Sequence, residues 1–336
     1  MMVGHALLAF ALVALCGRLA NVDRDRALLL GVVAGAFAAV PDVDMVYALV
    51  GVVHADFTGV FAVTKAFWSA STVVHRAMTH SLVVAPVAAL GFALWAVRGR
   101  WVHHARLLGT LLLGTLVLVA TVKHGLLGFV VMGAFVFAGV AVALAVWWRT
   151  ALGAGETFAL ALVGLVSHPW GDLFTGEPPA MLWPLDTLLF AERVVLAPDP
   201  TLHLLGAFAL ELLTVWLAVW VVLDASEEFR PTFDARALAG LAYGGVAFLI
   251  PPPTLDVSYH FVFSILAVGT VVAAPDVFRA RLLRSVRRLR RDWDVARLFS
   301  AVLTGLAAVT LALAAYALLY TAAALGSLGA LGVFVG

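Results

Sequence analysis

The sequence predicts an all-α membrane protein, a polytopic transmembrane bundle of about ten helices. Of its 336 residues, 63% are hydrophobic and only 12% are charged, whereas about a quarter of the residues of a water-soluble domain carry charge. Apolar runs of roughly 20 residues, the length that crosses a bilayer, recur from end to end. Helices satisfy their own backbone hydrogen bonds in lipid, so these runs predict helices. The net charge of +1 gives no reason to expect a nucleic-acid partner.

The apolar runs define the predicted spans. The first is expected to be retained rather than cleaved as a signal peptide, because its basic residues follow the apolar core instead of preceding it. Residues 57–74 are less apolar and contain Lys65, so they are predicted to form an interfacial segment or a loop. The predicted spans are 3–20, 27–50, 79–97, 107–122, 125–148, 155–172, 203–223, 237–255, 259–275 and 296–320, followed by an apolar stretch at 321–336.

Arginines in the connecting segments predict the orientation, because basic residues in short loops stay in the cytoplasm. They lie after the first span, at 98–106, at Arg149 and at 279–297, a predicted amphipathic cytoplasmic loop that contacts anionic lipid. The alternation of spans then places four polar stretches on the extracytoplasmic side. These stretches are Gly4-His5, residues 41–44, residues 75–80 and residues 168–172.

The composition changes in a proline-rich outer loop at 173–202. We therefore predict two regions: residues 1–185, which carry all the polar stretches, and residues 186–336, which add transmembrane helices and the basic loop at 279–297. The single cysteine, Cys16, lies inside an apolar run. It can form neither an internal disulfide nor a cysteine metal cluster.

The first candidate motif is Pro41-Asp42-Val43-Asp44. Proline interrupts a helix and disfavours helical geometry in the preceding residue. In an extended or turned segment, residues two apart face the same way, so a break here would aim both carboxylates at one point. Broken helices are tolerated in membranes where they line a cavity. The alternative is that both aspartates cap a hydrated helix end.

The second motif pairs His75 with His80, five residues apart and separated by Arg76 and Thr79. A turn between the histidines would bring them together, with Thr79 as the N-cap of the next helix. The planar guanidinium of Arg76 could reach a phosphate or a carboxylate. The alternative is a pair of interfacial histidines beside an arginine that extends towards water.

The third motif is His168 and Asp172, which are four apart and share a helix face. Pro169 between them is expected to kink the helix, and a kinked polar helix end is the alternative interpretation. His5 is a weak candidate on its own, but it falls on the same predicted side as the other motifs.

Together these residues predict a metal site. Imidazoles and carboxylates in similar numbers suit zinc first, with manganese or iron as alternatives, better than calcium or magnesium. The set exceeds what one tetrahedral ion needs, so we expect one to three ions, with adjacent ions activating water as in phosphoester hydrolysis. The candidate ligands are His5, Asp42, Asp44, His75, His80, His168 and Asp172.

The order and spacing of these motifs over residues 4–185 resemble the YdjM-like family of membrane-bound, metal-dependent hydrolases. The most specific block is His-Arg-x-x-Thr-His-Ser. The chain has Ala77 where the family commonly has glycine, and Pro169 inside the His-x-x-x-Asp pair is unusual. More distantly, the pattern is similar to zinc-dependent phospholipase C. The matching blocks are Gly4-His5, residues 41–44, residues 75–81, residues 167–175 and Trp183-Pro184.

The expected function is therefore that of a multi-pass hydrolase of the cell (plasma) membrane with its site on the extracytoplasmic side. Metal-activated water would attack a phosphoester or a lipid-linked substrate, a small molecule or a membrane lipid. We expect Asp44 to act as the base and Arg76 to stabilise developing negative charge. Thr79, Thr175 and Asp186 are expected to orient the ligands.

Two other classes of function use the same residues. An ion or small-solute transporter would use them as a cation pathway. It should also show polar residues deeper in several spans and an internal repeat, and the sequence displays neither clearly. A non-catalytic, metal-stabilised membrane scaffold would lose its stability together with its metal.

Overall fold

The computed structural model describes residues 2–54, 57–71, 76–225, 232–286 and 291–333, and this part of the chain is helical, without a strand. The all-α prediction is confirmed. The ten α-helices are α1 (Met2–Leu19), α2 (Arg24–Ala38), α3 (Ala48–Val53), α4 (Val60–Ser71), α5 (Val84–Trp95), α6 (Val102–Arg149), α7 (Ala154–Asp172), α8 (Pro200–Ala225), α9 (Ser258–Val286) and α10 (Arg291–Val333). Four 3₁₀ helices cover Pro41–Tyr47, Met78–His80, Ala235–Phe248 and Leu255–Val257.

Within the described residues, five helical segments are long and apolar enough to cross a membrane. Two shorter apolar helices, Val3–Leu19 and Val84–Trp95, accompany them. Most of the predicted span at 237–255 lies in the 14-residue 3₁₀ helix Ala235–Phe248 rather than in an α-helix. The predicted interfacial segment at 57–74 contains α4. The five segments are Arg24–Met45, Val102–Arg149, Pro200–Ala225, Ser258–Pro275 and Ala296–Leu325.

Helix α6 consists of two helical halves, and the chain reverses direction between them. A straight helix of 48 residues would be about 72 Å long, more than twice the roughly 30 Å of a bilayer's hydrocarbon core. Gly125 breaks the helix with φ of 61° and ψ of −144°, a conformation that glycine adopts readily. The two halves return to each other, because the guanidinium carbon of Arg106 lies 4.8 Å from the ring centroid of Trp147. The two predicted spans 107–122 and 125–148 correspond to these halves.

The chain forms two compact units, Met1–Val194 with Thr214–Ala225, and Val195–Leu213 with Ser226–Gly336. The predicted boundary between residues 185 and 186 stays a prediction. The second unit packs aromatic side chains together: the Phe261 ring centroid lies 5.2 Å from that of Tyr316 and 6.0 Å from that of Tyr243.

In the first unit, a core of apolar side chains joins α2, α5, α6 and α7. Phe92 packs between Phe37 and Phe135, with ring centroids 5.8 and 5.9 Å away. Gly164 lets α7 approach the end of α2 closely, since a Cβ there would lie 2.6 Å from the carbonyl oxygen of Ala34. This close approach brings the polar end of α7 against the end of α2.

The side chain that caps the start of helix α5 differs from the predicted one. The expected N-cap, Thr79, lies inside the 3₁₀ helix Met78–His80, so that prediction is wrong. The Ser81 hydroxyl instead accepts from the backbone N–H groups of Val83 and Val84, at 3.0 and 3.2 Å. Ser81 therefore satisfies two backbone N–H groups where α5 begins, and the Thr79 hydroxyl remains available to the candidate site.

Candidate metal centre

Ionisable side chains from four separate segments converge at one end of the first unit. Their exposed fractions range from 0% for His168 to 4% for His5 and Asp42. Burying such groups is costly unless they are paired or coordinate a metal. The residues are His5 from α1, Asp42 and Asp44 from the 3₁₀ helix Pro41–Tyr47, His80 from the 3₁₀ helix Met78–His80, and His168 and Asp172 from α7.

The ligand-type atoms of this cluster lie close together. Nε2 of His168 is 3.0 Å from Nε2 of His80 and 3.4 Å from Oδ1 of Asp42. Nε2 of His80 is 3.2 Å from Oδ2 of Asp172, and Nε2 of His5 is 3.3 Å from Oδ1 of the same carboxylate. His80 and Asp42 are further apart, with 3.9 Å between Nε2 and Oδ1. Five predicted ligands thus meet in one place.

The hydrogen bonds on the outer sides of the rings fix the tautomers. Nδ1 of His168 lies 2.6 Å from the carbonyl oxygen of Ala38, so it donates its proton there. The Thr79 hydroxyl donates to Oδ2 of Asp44 at 2.9 Å and must therefore accept from Nδ1 of His80, also at 2.9 Å. When both rings are neutral, Nε2 of each carries a lone pair, which is the form that binds metal.

Two lone pairs that face each other across 3.0 Å repel unless a cation lies near both. Burial lowers the pKa of His80, which lies outside the membrane-length helices, and this favours the neutral imidazole. The carboxylates supply the negative charge that a divalent cation needs. Oδ2 of Asp42 and Oδ2 of Asp172 are buried and make no hydrogen bond within the described part of the chain.

The spacing of the donor atoms fits a divalent ion. Ligands about 2.1 Å from a tetrahedral zinc ion lie about 3.4 Å from one another, and the distances above bracket that value. Each of two groups of three has ligand atoms within 4.8 Å of one another, and His168 belongs to both. The groups are His5 with Asp42 and His168, and His80 with His168 and Asp172.

Asp44 lies on the other side of His80 from Asp42. Its Oδ2 is 3.6 Å from Nδ1 of His80, whereas Asp42 is near Nε2. The segment is a 3₁₀ helix rather than an extended strand, so residues two apart point about 240° apart. The prediction that both carboxylates aim at one point is therefore wrong, and Asp44 contacts the cluster through Thr79 and His80.

Arg76 is engaged by the C-terminal end of α7. One of its terminal nitrogens donates to Oγ1 of Thr175 at 2.7 Å and lies 3.2 Å from Oδ1 of Asp172. The other donates to the carbonyl oxygens of Asp172 and Glu177, at 3.3 and 3.2 Å. Arginine at this position satisfies carbonyl groups that a helix end leaves unpaired. Thr175 thus reaches the site through Arg76.

The two remaining predicted site residues are His75 and Asp186. His75 lies outside the described residues, so its role as a ligand stays a prediction. Asp186 pairs with Lys123, with 2.9 Å between Oδ1 and Nζ, and its side chain is 93% exposed.

Sequence reasoning missed the Ala38 carbonyl that orients His168. A signal for it was present, because a helix that ends just before Pro41 leaves carbonyl groups without helical partners. It also missed the hydrogen bond between Thr79 and Asp44, which depends on how two distant segments pack.

Comparison with known proteins places the chain in a family. The family model described as YdjM inner membrane protein matches residues 1–229, a region that contains the whole cluster and extends past residue 185, where the motif resemblance ends. Neither the curated proteins nor the solved structures give a match. The family match and the five apolar, membrane-length helices make this a membrane protein, and the chain belongs to the YdjM inner membrane protein family.

Proposed function

We propose that this protein is a metal-dependent hydrolase that cleaves a phosphoester at the buried cluster. The observation that carries the proposal is the pair of facing Nε2 atoms of His80 and His168, 3.0 Å apart, beside two carboxylates. One or two divalent ions would be held by His5, Asp42, His80, His168 and Asp172, out of the one to three ions expected. Zinc is the first candidate, and manganese and iron are the alternatives.

A divalent ion bound here would lower the pKa of water and neutralise charge on phosphoryl oxygens. In the reaction, a bond forms between the water oxygen and phosphorus while the phosphorus–oxygen ester bond breaks. Oδ2 of Asp42, buried and without a hydrogen-bond partner in the described region, is the candidate acceptor for the proton of water. The leaving alkoxide would then take up that proton from Asp42, giving an alcohol and a phosphate.

The contacts of Asp44 and Arg76 favour positioning roles over the catalytic roles expected from sequence. Asp44 accepts from Thr79 at 2.9 Å, and Thr79 in turn holds Nδ1 of His80. Arg76 holds both the backbone carbonyl and the side chain of Asp172. Outer contacts of this kind orient metal ligands and tune their basicity. Both residues are therefore assigned to the support of their neighbouring ligands.

We place the site on the extracytoplasmic side of a multi-pass protein in the cell membrane. The reversal at Gly125 supports two crossings by α6, one for each half. Arginines gather at the opposite end of the first unit from the cluster, where Arg26 pairs with Glu156 and Arg98 donates to backbone carbonyls. Such arginines favour the cytoplasmic side.

The test is hydrolysis by the purified protein in detergent, with a chromogenic phosphodiester as the probe. We expect turnover that a chelator abolishes and that added zinc or manganese restores. His168→Ala should lose turnover by more than about 100-fold, since loss of an outer-contact residue alone costs about 10–100-fold. His103→Ala, on the exposed first turn of α6, is the matched control and should keep full activity.

The rival functions give different results in the same experiment. A metal-stabilised scaffold would show no phosphoester cleavage, and His168→Ala would lower the unfolding temperature as the metal is lost. A transporter would show metal-dependent flux in vesicles without hydrolysis. Either result would overturn the hydrolase proposal.

A further inference from the structure

We infer that the substrate carries a long hydrocarbon chain, which lies in an apolar groove beside the metal centre. This inference rests on the proposed function, because it names the class of substrate for that site. The groove has a volume of about 530 Å³, within the roughly 300–1,000 Å³ of small-molecule sites. Its walls come from the end of α2, the 3₁₀ helix Pro41–Tyr47, α3 and the second half of α6.

The lining of the groove selects against a polar ligand. Eight of its nine residues are apolar, among them Val40, Met45, Ala138 and Val142. A sugar or a nucleotide would leave its hydroxyl or amide groups without hydrogen-bond partners on such walls, which is costly. A hydrocarbon chain has no such groups, so the groove matches it in chemistry as well as in size.

Asp42 connects the groove with the metal centre. It is the one charged residue in the lining, and its Oδ1 lies 3.4 Å from Nε2 of His168. Its Oδ2 is buried and makes no hydrogen bond within the described ranges. A chain in the groove would therefore place a polar head group at Asp42. Apolar walls that end at a carboxylate of the candidate metal centre indicate an amphiphilic substrate, with its phosphoester in the head group.

The groove is open where a lipid could enter. Leu49, at its edge, is 55% exposed, and Ala39 is exposed as well. Its lining includes residues of the segments Arg24–Met45 and Val102–Arg149, both long and apolar enough to cross a membrane. A chain could thus move into the groove sideways from the bilayer without passing through water. The expected occupant of the groove is therefore an acyl chain of a membrane phospholipid.

The test uses a phosphatidylglycerol with a photoreactive diazirine in one acyl chain, bound to the full-length protein in lipid nanodiscs. Mass spectrometry of the irradiated protein locates the labelled peptides. We expect labelling concentrated at residues 36–49 and 138–142. Ala138→Trp, which fills the groove, should reduce the labelling at 36–49 about tenfold, the effect of losing roughly two buried methylene groups.

Ala141→Trp is the matched control, since Ala141 is exposed on the same helix and is not part of the groove lining. It should leave the labelling unchanged. If Ala138→Trp fails to fold, the milder Val142→Phe replaces it and should give the same reduction. Equal labelling in the test and control variants would mean that the labelled lipid only surrounds the protein and does not enter the groove. That result would overturn the inference.

Metal content and chain-length dependence separate this inference from the proposed function. Ala138→Trp should keep its metal and its cleavage of the short chromogenic diester, while it loses cleavage of long-chain phosphatidylglycerol. If short-chain and long-chain phosphatidylglycerol are cleaved equally well by the native protein, the groove does not bind the substrate and the inference fails, although the hydrolase proposal stands. Absence of all metal-dependent cleavage would instead overturn the hydrolase proposal, and this inference with it.

Discussion

The two ends of the first unit differ in how far their polar side chains are exposed to solvent. At one end, short histidine and aspartate side chains are buried to within a few per cent. At the other end, arginines are partly exposed: the side chain of Arg26, paired with Glu156, is 55% exposed. Arg98 donates to the carbonyl oxygens of Thr150 and Leu152.

The difference reflects side-chain length and solvation. Arginine can keep its charge in the interfacial water while its stem covers apolar surface, so it needs no special partner. The buried cluster cannot do this, and the desolvation of several charged groups must be offset locally. A bound divalent cation is the compensation that its donor set fits. The comparison therefore predicts large effects at one end and small effects at the other.

The largest predicted contrast is in the accessibility of the two ends to a reagent outside the membrane, since one end should react and the other should not. In a Cys16→Ser background, Leu188→Cys in the outer loop and Arg100→Cys at the arginine end each provide one thiol. If the cluster faces outward, a membrane-impermeant maleimide should label only Leu188→Cys in intact spheroplasts. Permeabilised cells are the control, in which both thiols should react. Labelling of Arg100→Cys alone in intact spheroplasts would reverse the proposed orientation.

The next effect is the loss of a ligand. His80→Ala removes one of the two facing Nε2 atoms and should weaken zinc binding by more than about 100-fold, because even outer contacts cost about 10–100-fold. Arg98→Ala, at the opposite end, is the comparison and should bind zinc normally. Zinc affinity measured by competition with a chelating dye decides this. Equal affinity in the two variants would remove the distinction between the ends.

A smaller effect is expected for a residue that only orients a ligand. Thr79→Val breaks the contact that joins Asp44 to Nδ1 of His80, and the zinc affinity should fall by about 10–100-fold. Thr121→Val is the matched control, since the Thr121 hydroxyl bonds only within its own helix, to the carbonyl oxygen of Val117. Nitrogen-15 NMR of the histidine rings should show a changed tautomer of His80 in Thr79→Val alone. Unchanged affinity and tautomer would argue against a positioning role for Thr79.

The smallest effect belongs to the arginine end. Glu156→Gln removes the partner of Arg26 in a largely solvated pair, and such pairs contribute about 0–1 kcal/mol. The free energy of unfolding should change within that range, with zinc binding and turnover unaffected. Denaturant titration, followed by the metal content of the same sample, measures both quantities. A loss of metal in Glu156→Gln would show that the two ends are coupled.

Much of this arrangement could be predicted from the sequence, because it depends on local rules. Apolar run lengths gave the helical class, and Pro41 marked the break that the structure places after Ala38. The alternation of the predicted spans put all the motifs on one predicted side, which is why His5, Asp42, His80, His168 and Asp172 could be grouped in advance.

What could not be predicted depends on local backbone type and on long-range packing. The direction of Asp44 is set by a 3₁₀ helix, which no spacing rule distinguishes from an extended turn. The partners of Arg76 are carbonyl groups about a hundred residues away in sequence. The reversal at Gly125 shows the other case, because the spans predicted at 107–122 and 125–148 already divided the chain at this position.

Metal content is the most direct test of the central claim that the buried cluster binds a divalent ion. The measurement is inductively coupled plasma mass spectrometry of the purified full-length protein, with His168→Ala and His103→Ala prepared in parallel. We expect at least one zinc, manganese or iron ion per chain in the native protein and in His103→Ala, and a large loss in His168→Ala, whose imidazole belongs to both ligand groups. Native protein without stoichiometric metal after purification in metal-supplemented buffer, or His168→Ala with its full metal content, would contradict the claim.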